Sequence, residues 1–158
     1  VVFLPYLLGE RAPRWDRNAK GCFLGLKPEN TRGDIIRSVL EGVALNLSLI
    51  LDILQKNNMR ISEITLLGGG AKGKTWCEIM ADVFQTDILI PALLEEAGAM
   101  GAAVNAGVGA GIYKSYSAIH SFIEMKDRIQ PSKENREIYQ ETKAKFNEYY
   151  NSLKKVFR

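Results

Sequence analysis

Ile64-Thr65-Leu66-Leu67-Gly68-Gly69-Gly70-Ala71 is the stretch on which the reading of this chain turns. It reads as a short apolar strand running into a glycine turn, and Lys72 to Phe84 reads as the helix that follows. A strand, a glycine turn and a helix start together make an anion site. Glycines let the backbone approach a phosphate, and the unpaired N–H groups of the helix start point at it. The turn is therefore predicted to hold a nucleotide. Three patterns compete for it. Gly68 to Gly73 fits G-x-G-x-x-G, Gly68 to Thr75 fits G-x-x-x-x-G-K-[ST], and a glycine turn on the wall of a nucleotide cleft fits as well. The plain alternative is a tight strand-to-helix turn that holds no ligand.

Working outward, 158 residues fit one ordinary domain or a piece of a larger protein. Hydrophobic residues make up 46% and charged residues 25%, the balance of a globular protein. A net charge of +3, without a dense run of Lys and Arg, argues against nucleic acid as a partner. Cys22 and Cys77 form no metal spacing and suit a reduced, cytoplasmic setting. The single histidine, His120, lies in an ordinary amphipathic stretch and is expected to be structural. No uninterrupted apolar run approaches a membrane span, so no membrane partner is expected.

Val1 to Leu8 is apolar and contains Pro5, an edge strand or extended arm. Gly9 to Gly21 is a polar loop that either faces a charged ligand or is anchored by Trp15. Cys22 to Leu26 is a short strand. Thr31 and Asp34 fit a capping box. Behind it Ile36, Leu40, Val43, Leu47, Ile50, Leu51 and Leu54 predict a long amphipathic helix ending near Asn57 or Asn58. Glu41 and Asn46 are expected on its polar flank. In the helix after the glycine turn, Trp76, Ile79, Met80, Val83 and Phe84 form the expected buried stripe, with Asp82 beside it in a surface or capping role. Asp87 to Pro91 is a strand, and Glu95 to Gly111 is a Gly/Ala-rich helix suited to close packing. Tyr116 to Ile123 reads as a short helix and Pro131 to Arg158 as a charged one. Alternating strands and helices predict an α/β fold with a mainly parallel sheet flanked by helices, thin at three or four strands.

Two of the three patterns fail at their second element. A P-loop protein needs an acidic residue at the end of an apolar strand to hold Mg²⁺, but Asp87 precedes its apolar run. A dinucleotide fold needs an acidic strand end about 20 residues on, but that strand ends Leu89-Ile90-Pro91-Ala92.

The third pattern is supported by a resemblance spread over most of the chain. Phe3 to Pro13 resembles the F-L-P-Y-L-x-G-E-R-x-P segment of bacterial xylulokinases, and Asn18 to Leu26 their N-A-R-G-x-F-x-G-L. Ile36 to Val43 resembles R-A-V-L-E-G-V, and Gly101-Ala102-Ala103 a later G-A-A. Gly68-Gly69-Gly70-Ala71-Lys72 with Trp76 and Ala81-Asp82 resembles G-G-G-A-[KR]-S-x-x-W-x-x-x-x-A-D. The order and spacing hold from Phe3 to about Gly111, and they identify the FGGY carbohydrate kinases. Gluconokinases carry a similar G-E-R-A-P segment.

This resemblance implies a ribonuclease-H-like, actin-like ATPase domain, here apparently incomplete. Residues 1–158 would be the C-terminal, ATP-binding part of a longer kinase, and 131–158 a helical extension of that domain. ATP and Mg²⁺ are the implied cofactors, with ATP on Gly68, Gly69, Gly70, Ala71 and Lys74. Gly73 stands where relatives carry Ser. The sugar, D-xylulose in the first instance, would sit mainly on a preceding domain. The catalytic aspartate would also lie there, so no catalytic residue and no metal ligand is assigned within this chain. Alone, the chain is expected to be inactive, and its exposed sheet edge would invite pairing with a second copy.

Overall fold

The computed structural model describes all residues from 1 to 158. β1 (Val2–Leu4) and β2 (Cys22–Leu24) form a two-stranded antiparallel sheet, with Phe3 opposite Phe23. α1 (Arg32–Lys56) opens on the expected capping box. The Thr31 N–H donates to Asp34 Oδ2 at 2.7 Å, and the Asp34 N–H donates to Thr31 Oγ1 at 3.3 Å. Two orphan donors of the first turn are thereby satisfied. α1 ends at Asn57, and Asn58 follows in the left-handed region at φ +63°.

β3 (Glu63–Thr65) precedes the glycine turn, which is a 3-10 turn over Gly69–Lys72. α2 (Lys74–Phe84) starts two residues later than the sequence suggests, and β3 stops before Leu66. β4 (Asp87–Pro91), α3 (Ala97–Gly109), a 3-10 turn over Tyr116–Ser121, β5 (Met125–Ile129) and α4 (Arg136–Leu153) complete the chain. The short helix expected over Tyr116 to Ile123 is a 3-10 helix over Tyr116–Ser121, and α4 is shorter than Pro131 to Arg158.

The expected mainly parallel sheet needs correction. β3 and β4 are parallel, with Ile64 opposite Ile88, but β5 adds to β4 antiparallel, with Ile88 opposite Ile129. The sheet is mixed, in the order β3-β4-β5, and β1-β2 is separate. β5 escapes sequence reading because it is Met-Lys-Asp-Arg-Ile, largely exposed, with no apolar alternation. Arg128 fastens it, donating to Asp87 Oδ2 at 2.7 Å and to Glu63 Oε2 at 3.1 Å, so one guanidinium spans all three strands.

The core lies where α1 packs on β1, α2 and α4. Leu4, Leu45, Ile79, Ile88 and Phe146 are fully enclosed there. α1 does not bury the stripe its large aliphatics suggest. Its buried residues are Ser38, Gly42, Ala44, Leu45, Ser48 and Leu49, while Ile36 and Leu47 are exposed. Small residues let α1 approach β1 closely, and Ser38 and Ser48 satisfy their hydroxyls on the backbone one turn back. Apolar on both faces, α1 is by length and composition alone apolar enough to cross a membrane, as core helices also can be. Here it packs on β1, α2 and α4.

Candidate functional site

The glycine turn and residues 92–96 follow β3 and β4 respectively, at the carboxyl ends of parallel strands. That edge is where open α/β sheets place ligands. Gly68 takes φ +78°, a conformation that suits glycine, and its N–H donates to Leu94 O at 3.2 Å. The bend turns the backbone into the 3-10 turn, where the Ala71 N–H donates to Gly68 O and the Gly73 N–H to Gly70 O. Ala71 points inward and is buried, and Cys77 Sγ lies 3.5 Å from its carbonyl oxygen. Burial pushes the Cys77 thiol pKa up, so it packs as a neutral group.

No side chain caps the 3-10 turn or α2, whose N-cap is Gly73. Helix-start amides without a protein acceptor are open to an outside anion. The space beside the glycines is also open. A Cβ built on Gly68 or Gly69 would meet nothing within 4 Å, whereas one on Gly70 would lie 3.1 Å from the indole nitrogen of Trp76. Beyond Leu67 lies a cavity walled by Leu93, Met100, Ile119 and Ile123, with Glu124 its charged lining residue. An apolar slot beside uncapped amides is what a nucleobase carrying phosphates requires.

Gly68, Gly69, Gly70 and Ala71 therefore stand together at one edge. Lys74 stands differently. It is the first residue of α2, 85% exposed, and its amine is 3.7 Å from Glu78 one turn along. Lys72, not singled out from the sequence as a ligand residue, pairs instead with Glu95 of the residues after β4. Only the fold brings Lys72 and Glu95 together. No group of three or more His, Cys, Asp or Glu side chains is placed to hold a metal ion.

Other residues weighed from the sequence hold the structure. Glu41 accepts from Arg37 Nε at 2.8 Å and from the Tyr139 hydroxyl at 2.9 Å, and Asn46 accepts from Tyr6. Asp82 is buried and binds the segment before α4. Trp15 is 81% exposed and anchors nothing. The Gly9–Gly21 loop is held by Glu10, which accepts from the Arg14 and Trp15 N–H groups, and by Asp16, which accepts from Tyr150 at 2.8 Å. Arg14 stacks 3.9 Å over the Tyr150 ring. His120 is exposed.

Comparison with known proteins bears on the same residues. The profile of the FGGY family of carbohydrate kinases, C-terminal domain, matches residues 1–110. The xylulose kinase of Staphylococcus epidermidis is 33% identical over 158 residues, 99% of this chain and 32% of that protein. The gluconokinase of Bacillus licheniformis is 31% identical over 140 residues, 88% of this chain and 27% of that protein. The crystal structure of ligand-bound xylulose kinase from Lactobacillus acidophilus superposes with a TM-score of 0.87 at 31% identity, covering 96% of this chain and 31% of that one. The chain spans about a third of the length of these relatives. It belongs to the FGGY family of carbohydrate kinases.

Proposed function

We propose that this chain is the nucleotide-binding, C-terminal part of an ATP-dependent sugar kinase, which in its whole form phosphorylates D-xylulose to D-xylulose 5-phosphate in the cytoplasm. The observation that carries the reading is the uncapped glycine turn at the carboxyl edge of β3 and β4, with open space over Gly68 and Gly69 and an apolar cavity alongside. In this reading the chain belongs to a ribonuclease-H-like, actin-like domain, with residues 131–158 as its helical extension. The phosphates lie on the amides of Gly69 and Gly70, beside Ala71, and the base lies beyond Leu67. Mg²⁺ arrives with the nucleotide. The sugar and the catalytic base belong to a preceding domain, and phosphoryl transfer rests on positioning and charge stabilisation across the cleft. Gluconate is the second candidate sugar, because a gluconokinase matches nearly as well as the xylulose kinases.

Calorimetric titration of the chain with ATP and Mg²⁺, with NAD as comparison, tests the nucleotide site. Gly69→Leu is the sharper block, since its side chain enters open space, whereas bulk at Gly70, as in Gly70→Trp, displaces Trp76. ATP binding that Gly69→Leu weakens at least about tenfold supports the site. NAD binding in preference to ATP refutes it. ADP release by the longer protein with D-xylulose against D-gluconate separates the two sugars.

A further inference from the structure

We infer that Lys72 is the phosphate-binding cation of the glycine turn and that Glu95 holds it in reserve until a nucleotide arrives. The inference rests on the nucleotide reading above and assigns within it a residue the sequence patterns pass over. Two links join the glycine turn to the residues after β4. One is the Gly68 N–H to Leu94 O bond, and the other is the Lys72–Glu95 ion pair. Ala71 turns inward, so the next side chain, Lys72, emerges on the solvent side of the 3-10 turn. Lys72 is the last residue of that turn and stands one residue before Gly73, the uncapped start of α2. It lies between two sets of helix-start amides.

The pair is built to exchange. The Lys72 side chain is 56% exposed and that of Glu95 70% exposed. An ion pair so open to water contributes little stability and is screened by salt. A polyphosphate carries more charge than a carboxylate and offers several acceptor oxygens, so it displaces Glu95 and takes the ammonium in charge-assisted hydrogen bonds. The cleft that Lys72 lines also receives Lys74 and Lys126 against Asp127, so its field favours an anion once Glu95 is displaced. Lys74 is the weaker candidate, because its partner Glu78 lies on its own helix and does not link it to the residues after β4.

The test is calorimetric titration of wild-type chain, Lys72→Met, Lys72→Arg and Glu95→Gln with MgATP, ADP and adenosine, with circular dichroism to check each fold. Lys72→Met is expected to weaken MgATP by about tenfold or more and to leave adenosine within about twofold. Lys72→Arg retains most of the affinity. Glu95→Gln, which removes the competitor, tightens MgATP by about two- to fivefold. A structural role for the pair would instead lower affinity for all three ligands in both Lys72→Met and Glu95→Gln. That pattern, or unchanged MgATP affinity in Lys72→Met, overturns the inference and leaves the nucleotide site standing. A wild-type chain that binds neither MgATP nor adenosine overturns both.

Discussion

A Cβ on Gly42 would run into the carbonyl oxygen of Phe3 and stand 3.1 Å from its carbonyl carbon. Backbone cannot yield as a side-chain end can, so α1 would be pushed off β1. Gly42→Ala is expected to destabilise the chain by about 3 kcal/mol, despite the better helix propensity of alanine. Gly33, in the exposed first turn of the same helix, is the internal control. Its Cβ would meet only Thr31 Oγ1 at 3.4 Å, and Gly33→Ala should stabilise by about 0.5 kcal/mol. Urea denaturation of both variants checks the pair, and a Gly42→Ala midpoint equal to wild type would show that α1 and β1 are not in contact. The motif around Gly42 was legible as a family resemblance. The reason for its glycine was not, because the clash partner lies 39 residues upstream.

Asp82 decides how α4 is attached. It is 6% exposed, and its two oxygens accept from the Ser132 N–H and Asn135 Nδ2, each at 2.7 Å. Asn135 is the N-cap of α4, yet its side chain turns to Asp82 and does not cap its own helix. Asp82→Ala strands the Ser132 N–H and should cost about 2–4 kcal/mol, while Asp82→Asn, which keeps one acceptor, should cost less. Amide exchange at Ser132 should accelerate with the loss, and unaltered exchange in Asp82→Ala would refute the attachment. Such links separate what sequence shows from what it hides. The Thr31–Asp34 box is local, three residues apart, and was readable. The role of Asp82 depends on partners fifty residues on, and β5 depends on pairing with β4 to be a strand at all. The buried face of α1 is not the one its largest aliphatics suggest, because closeness to β1 selects Ser38, Gly42 and Ser48. At the glycine turn, the open backbone was legible, but the Lys72–Glu95 pair was not, since it joins the ends of two neighbouring strands.

Over the whole molecule, one seam joins the first strand, the long helix, the Gly9–Gly21 loop and the last helix, and tyrosines run through it. Tyr6 meets the Phe146 and Tyr150 rings at 6.2 and 5.6 Å, Tyr150 donates to Asp16, and Tyr139 donates to Glu41 while accepting from Arg37 at 3.0 Å. Burial pushes the phenol pKa of Tyr6, Tyr139 and Tyr150 up from 10.0 to about 12, with Glu41 adding to the shift at Tyr139 and Asp16 at Tyr150. The folded chain thus holds these protons more tightly than the unfolded chain does. Their stabilising contribution is complete below pH 10 and is lost as pH rises from 10 to about 12, at up to about 1.4 kcal/mol per pH unit for each phenol. Alkaline unfolding in that window is therefore expected, with tyrosinate absorbance rising together with the loss of helical circular dichroism. Tyr139→Phe should cost about 1 kcal/mol at neutral pH by removing hydroxyl bonds to Glu41 and Arg37. It should also make stability fall less steeply above pH 10, so that its deficit narrows toward pH 12. A deficit that is constant from pH 7 to pH 12 would mean that Tyr139 ionises alike in the folded and unfolded chain, and that the seam owes nothing to keeping this phenol protonated.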